Sequence, residues 1–328
     1  MFRTFVVANP KAGAGQVERE WEQIARLLRA QLPEFDFAFT EGPNHATLLA
    51  REALRNGWEM VVAIGGDGTM NEVANGFFEK VDPGEHFERD DGWIRRTRVD
   101  LQPINSDAIF GMVPMGTGGD FRRSAGLMGT FQENIERLGT KDTRPCDVGQ
   151  IVHLDHDGKL TSRYFVNIAS AGFSGEVDRA VNNMWKGLGG GLSFRIASAS
   201  AWLAWKNQPI DTRVDDTEEF SGKYFMVCVA NGEYFGGGMW VAPGALIDDG
   251  KLQVVFLPDL SKWESATLIS KIYEGKHLGI DGVFRRDAHT VSMRAPGGRS
   301  VLIDLDGEQP GRLPAFYAVH EHALTLKV

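Results

Sequence analysis

Three times in its first 120 residues the chain runs from an apolar stretch straight into a glycine-rich turn: TFVVANP into residues 9–15, MVVAI into 65–69, and IFGMVP into 116–120. Each pattern reads as a strand turning into a helix, because a tight βα turn needs glycine. Helix-period segments lie between them, at about 18–32 and again at 45–57, where Leu48, Leu49 and Ala53 are spaced for one face and Gly57 is the stop. Strands alternating with helices imply a mostly parallel sheet with helices on both faces. One glycine turn says little about ligands. Three at the strand ends of one sheet point to a phosphate-binding crevice, since glycine lets backbone N–H groups approach an anion closely.

From about Cys146 the pattern changes to successive strand candidates, DVGQIVHL, SRYFVNIA, KYFMVCVANG, KLQVVFLP, HTVSMRA and SVLIDLDG, interrupted by helical segments at about 192–205 and 262–274. Runs of strands separated by turn residues suggest an antiparallel β-rich sandwich. A length of 328 residues suits two domains. The expectation is an α/β nucleotide-binding domain over 1–143 and a β-sandwich substrate domain over 144–311, with the tail of about 312–328 a candidate to return to the first. The polar stretch 81–107 has no period and reads as an inserted surface loop or small hairpin.

A formal net charge of −9 argues against nucleic acid as a partner and against docking on anionic lipid by bulk charge. Cys146 and Cys228 are the only cysteines, too few for a disulfide framework or a thiolate metal site. The start of the chain lacks the long apolar region of a signal peptide, so a cytoplasmic location is expected. The stretch 187–205 carries Arg195 and several Ser and Gly, a poor membrane span. Trp185, Trp202 and Trp205 suit either core packing, which weighs more, or a lipid-entry face. His320 and His322 alternate as on a strand and read as structural.

Neither a P-loop nor a Rossmann fingerprint occurs. Instead the blocks NPKAGAG, GGDGTMNEVANG, MVPMGTGGDFRRSAGL, APGALIDDGKL and IDLDGE follow one another from Asn9 to Glu308. Together they resemble the bacterial diacylglycerol kinase and lipid kinase family, which shares its catalytic domain with eukaryotic diacylglycerol and sphingosine kinases. The family's patterns are NPxSG, GGDGTxNEVxNG and PxGTxNDFARxLG; GGDGT alone also occurs in NAD kinases. The resemblance implies an ATP- and Mg2+-dependent transfer of the γ-phosphate to a hydroxyl of a membrane lipid such as diacylglycerol, at a transient contact with the inner membrane face. A homodimer is one option for the assembly.

Carried onto this chain, the resemblance implies that Asn9, Thr40, Gly65, Gly66, Asp67, Gly68, Thr69, Met70, Asn71, Gly116 and Thr117 contact ATP. It implies that Asp67, Asp120 and Asp147 build a carboxylate, water and magnesium network at the transferred phosphoryl group. Glu308 matches the catalytic glutamate that accepts the lipid hydroxyl's proton, with Asp306 as its partner. Asp249, with the main-chain carbonyls of Leu246 and Lys251, matches a structural Mg2+ site. Asp306–Gly307 and Asp248–Asp249–Gly250 also read as plain turns. Two departures stand out. Ala12 replaces a small hydroxyl residue, and Gly119 replaces the usual Asn, whose lost amide is expected to weaken nucleotide contacts or alter the loop. A soluble-metabolite kinase of the NAD kinase type and a catalytically inactive nucleotide- or lipid-binding regulator are the rival readings.

Overall fold

A computed structural model describes residues 2–85, 87–96, 101–116, 118–183 and 198–328. Thr117 and Trp185 lie outside the described residues, as does most of 187–205. Strand β1 (Thr4–Ala8) leads through α1 (Ala12–Arg19) and α2 (Trp21–Gln31) to β2 (Phe35–Phe39), then α3 (His45–Arg55), β3 (Met60–Gly65) and α4 (Asp67–Gly76). After a hairpin of β4 (Phe87–Asp90) and β5 (Trp93–Arg96) come β6 (Ile109–Pro114), α5 (Asp120–Ser124) and α6 (Phe131–Leu138). β1 pairs in parallel with β2 and β3, and β3 in parallel with β6. All six residues of β3 are buried, as a central strand covered on both faces requires. Its alternation sends Met60, Val62 and Ile64 against α2 and α6, and Val61 and Ala63 against α3 and α4.

The second half holds β7 (Thr143–Leu154), β8 (Leu160–Phe165), β9 (Ile168–Gly172), α7 (Phe173–Asn183), β10 (Gln208–Val214), β11 (Glu218–Ala230), β12 (Tyr234–Phe235) and β13 (Met239–Trp240). It continues with β14 (Leu252–Pro258), β15 (Phe284–Ala288), β16 (Thr290–Arg294), β17 (Leu302–Leu305) and β18 (Glu308–Lys327). Its pairings are antiparallel, as between β10 and β11, β11 and β14, and β7 and β18. Strands β9, β11, β14, β16, β17 and β18 share one buried core, which includes Val227, Val254, Ile303 and Tyr317. The other face of β11 and β14 is covered by the helix Lys262–Tyr273 through Leu268 and Ile272.

The two halves are not separate sheets. β18 runs for 20 residues. It pairs antiparallel with β16, β17 and β7, then in parallel with β6 at Thr325 and Leu326, so that 14 strands among the described residues form one hydrogen-bonded sheet. Register shifts at Arg312/Ala315 and His320/Leu324 bend the strand from one half into the other.

Within the 81–107 stretch, residues 87–96 form a docked hairpin. Trp93 is buried between the guanidinium groups of Arg213 and Arg294, 4.1 and 4.6 Å from the ring centroid, while Phe87 packs on Phe316 of β18. Trp205 is core, and Trp202 donates from Nε1 to Ser265 Oγ at 3.0 Å, so the structure places both in packing. Among the described residues no helix is long and apolar enough to cross a membrane.

Candidate active site

The three glycine turns meet at the carboxyl ends of β1, β3 and β6. Asp67, the first residue of α4, accepts hydrogen bonds from Gly119 N–H (2.7 Å) and Phe121 N–H (3.3 Å), which ties the second turn to the third. A Cβ on Gly118 would lie 2.6 Å from Asp67 Oδ2, so this approach requires glycine there. Asn9 ties in the first turn, donating from Nδ2 to Thr69 Oγ1 at 3.1 Å and accepting Lys11 N–H at 3.0 Å. Thr40 N–H donates to the Ala8 carbonyl at 2.9 Å, extending the edge of the same crevice. Ala12 keeps its backbone in the turn through Asn9 O. The cleft between turns is lined by Gly65, Gly66, Asp67, Gly116, Gly119 and Arg122 together with Met70, Met112 and Pro114. Nearby on α4, Asn71 Nδ2 is buried with no partner among the described residues.

The second half supplies the opposite wall. Asp306 and Gly307 have φ of +48° and +85° and form a two-residue hairpin turn between β17 and β18, with Leu305 paired to Glu308. The DG pair is thus a turn, and the turn presents the site. Asp306 accepts Ile168 N–H (2.8 Å) and Val166 N–H (3.1 Å). Burial pushes its carboxyl up to about 7 against those two donors, with the charges of Asp304 and Asp67 adding to the rise. Glu308 Oε2 pairs with Arg163 at 2.8 Å, and Glu308 Oε1 lies 3.9 Å from where a Cβ on Gly68 would stand. The glutamate therefore faces the 65–69 turn.

Behind it sits an acid pair, Asp304 buried and Asp178 half-buried. Asp304 accepts Gly307 N–H (2.9 Å) and Ser170 Oγ–H (3.3 Å), and its carboxyl adjoins that of Asp178 on α7. Burial raises both carboxyls, and two adjacent carboxylates in such a site cannot both ionise at low cost. These groups and Asp306 hold protons more tightly folded than unfolded. The stability they lend is full below the unfolded value of 3.8 and is lost as pH rises through the folded values, about 7 for Asp306. Urea denaturation at pH 5 and pH 8 is expected to give a lower midpoint at pH 8, and Asp178→Asn is expected to shrink that difference.

The expected carboxylate trio divides. Asp120 is buried beside Asp67, its oxygens taken by Arg123 (3.0 Å) and Gly237 N–H (2.7 Å), and burial raises its pKa. Asp147 is held elsewhere. Its oxygens accept His322 N–H and Gly250 N–H, both at 2.7 Å, which ties it to the 246–251 turn. In that turn Asp249 accepts Lys251 N–H at 3.1 Å, while the Leu246 side chain is exposed. His320 bonds Gln150 Oε1 and His322 bonds Asp248 O, so both histidines bind within the protein. Among the described residues no group of three His, Cys, Asp or Glu side chains could by itself hold a metal ion.

The diacylglycerol kinase catalytic domain family matches residues 3–151, and the YegS C-terminal NAD kinase beta sandwich-like domain family matches residues 167–328. A protein of Xanthomonas euvesicatoria named "Probable lipid kinase YegS-like" is 30% identical over 304 residues, which is 92% of this chain and 88% of that protein. The chain belongs to the diacylglycerol kinase and YegS-like lipid kinase family. It is a kinase. The diacylglycerol kinase of Bacillus subtilis is 24% identical over 329 residues, covering 98% of this chain and 95% of that one. A crystal structure of a diacylglycerol kinase from Bacillus anthracis has the same fold, with a TM-score of 0.66 at 20% identity, covering 99% of this kinase and 97% of that chain.

Several residues of this lipid kinase site escaped the motif reading. Arg163, Asp178 and Asp304 reach Glu308 or its turn from β8, α7 and β17. Only Asp304 carried a signal: in IDLDGE it stands two residues before Asp306, at the end of the strand that leads into the turn. Glu72 of the second glycine motif accepts Asn44 and Ala46 N–H groups at the start of α3 and thereby anchors α4.

Proposed function

We propose that this kinase transfers the γ-phosphate of ATP to a hydroxyl of a membrane lipid such as diacylglycerol, with Glu308 as general base. The observation that supports this most is the position of Glu308 Oε1, 3.9 Å from where a Cβ on Gly68 would stand, at the head of α4 and one residue from Asp67 of the cleft. A base must stand within reach of the attacking hydroxyl, and the phosphate must lie on the glycine turn. Asn9, Thr40, Gly65, Gly66, Gly68, Thr69, Met70, Asn71 and Gly116 are assigned to the nucleotide, with residues 1–143 as its domain and 144–311 as the lipid's. Mass spectrometry of a total lipid extract incubated with the enzyme, ATP and Mg2+ tests the substrate. A single lipid class gaining phosphate supports the reading; phosphate gained by NAD in a parallel incubation with NAD added, and by no lipid, would replace it with the soluble-metabolite reading.

Each Asp67 oxygen accepts one N–H and keeps a second lone pair, so Asp67 fits a Mg2+ carried in by the nucleotide's phosphates, with Asp120 behind it. That ion would neutralise phosphate charge. For the 246–251 turn, the oxygen donors of Asp249, Leu246 and Lys251 suit a structural Mg2+. Chelation is then expected to lower the melting temperature of wild-type kinase and to leave Asp249→Ala unmoved; equal shifts in both would remove that site.

Contact with the membrane is supported by two large side chains on adjoining helices, Trp263 at 85% exposure and Leu203 at 70%. Their helices are joined through Lys262 Nζ, which donates to Trp205 O at 2.6 Å. Tryptophan favours the headgroup region. Trp263→Ala is expected to reduce co-sedimentation with lipid vesicles while sparing turnover on detergent-dispersed lipid, and undiminished co-sedimentation would count against this face.

A further inference from the structure

The turn after β6 departs from the family pattern at two positions that touch. Where PxGTxNDFARxLG has Asn followed three residues later by Ala, this chain has Gly119 and Arg122. Gly119 has φ +66° and ψ +40°, a left-handed conformation that Asn also accommodates readily. The backbone alone therefore does not exclude the family's residue. The Arg122 side chain stands in its way: a Cβ on Gly119 would lie 2.4 Å from Arg122 Nε and 2.9 Å from Cζ, so an Asn there requires the guanidinium to move. The guanidinium fills the space an Asn side chain would enter.

That guanidinium lines the same cleft as Gly65, Gly66 and Asp67. Its Nε is sealed from solvent with no hydrogen-bond partner among the described residues, a costly state for a charged donor. The neighbouring Arg123 is already committed to Asp120 and to the Gly118 carbonyl. Arg122 is thus a cation in the cleft with donor capacity in hand, beside the turn assigned to phosphate.

We propose that Arg122 is a phosphate ligand for the bound nucleotide, standing in for the Asn that Gly119 replaces; this rests on the nucleotide reading of the cleft given above. A planar guanidinium grips phosphate oxygens through two parallel donors and brings a full charge where an amide brings a dipole. Gly119 and Arg122 act as one unit, since the absence of a side chain at 119 makes room for the guanidinium.

Calorimetric titration of ATP, ADP and adenosine into the full chain tests this. Arg122→Ala is expected to weaken ATP and ADP about 10- to 100-fold and leave adenosine unchanged. Gly119→Asn alone should weaken ATP similarly by evicting the guanidinium. The double variant should bind no worse than either single one, because the eviction costs nothing once the arginine is gone. Unchanged ATP affinity in Arg122→Ala, an equal loss for adenosine, or additive losses in the double variant would each overturn the proposal. If Arg122→Ala does not fold, Arg122→Lys, which keeps the charge without the fork, should lose part of the ATP affinity and none of the adenosine affinity; wild-type affinity for both would refute it. Wild-type protein that binds none of the three ligands would bring down the nucleotide reading as well. Wild-type protein that binds ATP equally with and without Arg122 would sink the Arg122 assignment alone.

Discussion

Glu308→Gln is expected to bind ATP as wild type does and to lose turnover by a factor of about 10² to 10⁴, the span that a positioned general base contributes. The substitution keeps the side chain's length and its place against Gly68, and removes only the oxygen able to take the proton of a lipid hydroxyl. The ion pair with Arg163 at 2.8 Å weakens as well, so Arg163 loses a partner without leaving β8. Initial rates under saturating ATP, set beside a nucleotide titration of the same variant, measure both halves of the expectation. Turnover at the wild-type level would withdraw the base assignment.

Asp67→Ala should do damage of comparable size by a different route, reducing kcat/KM for ATP about 10³-fold. Two losses combine in it. The carboxylate is the cleft's own site for phosphate-borne cation charge, and phosphoryl transfer depends on charge neutralisation and positioning. It is also the tether for Gly119 and Phe121 N–H groups, so the 118–121 turn loses its link to α4. Asp67→Asn separates the two effects, since the amide oxygen can still accept from Gly119 while the charge is gone. If Asp67→Asn retained wild-type kcat/KM at limiting Mg2+, the charge would have no role and only the tether would remain.

What could be read in the chain beforehand follows from the range of each constraint. The glycine turns were legible because a βα turn imposes its demand locally, within residues 65–69 or 116–120. The hairpin that carries Glu308 was legible through the Asp306–Gly307 pair. The continuity of the sheet was hidden, because Pro310, Gly311 and Pro314 interrupt the apolar alternation of β18 and made one 20-residue strand look like a motif followed by a separate tail. The partners of Glu308 were hidden for a topological reason: Arg163, Asp178 and Asp304 sit on three different elements, and only the folded sheet brings them behind one turn. The order of motifs does not reveal that Gly250 and His322 supply N–H groups to both oxygens of Asp147.

A crystal structure of the kinase with a non-hydrolysable ATP analogue and Mg2+ tests the convergence of the two halves most directly. The γ-phosphate is expected on the 65–69 turn with its phosphorus roughly 6 Å from Glu308 Oε1, one hydrogen bond plus one attack distance for a hydroxyl between them. A nucleotide bound outside this cleft, or one whose γ-phosphate points away from Glu308, would contradict it.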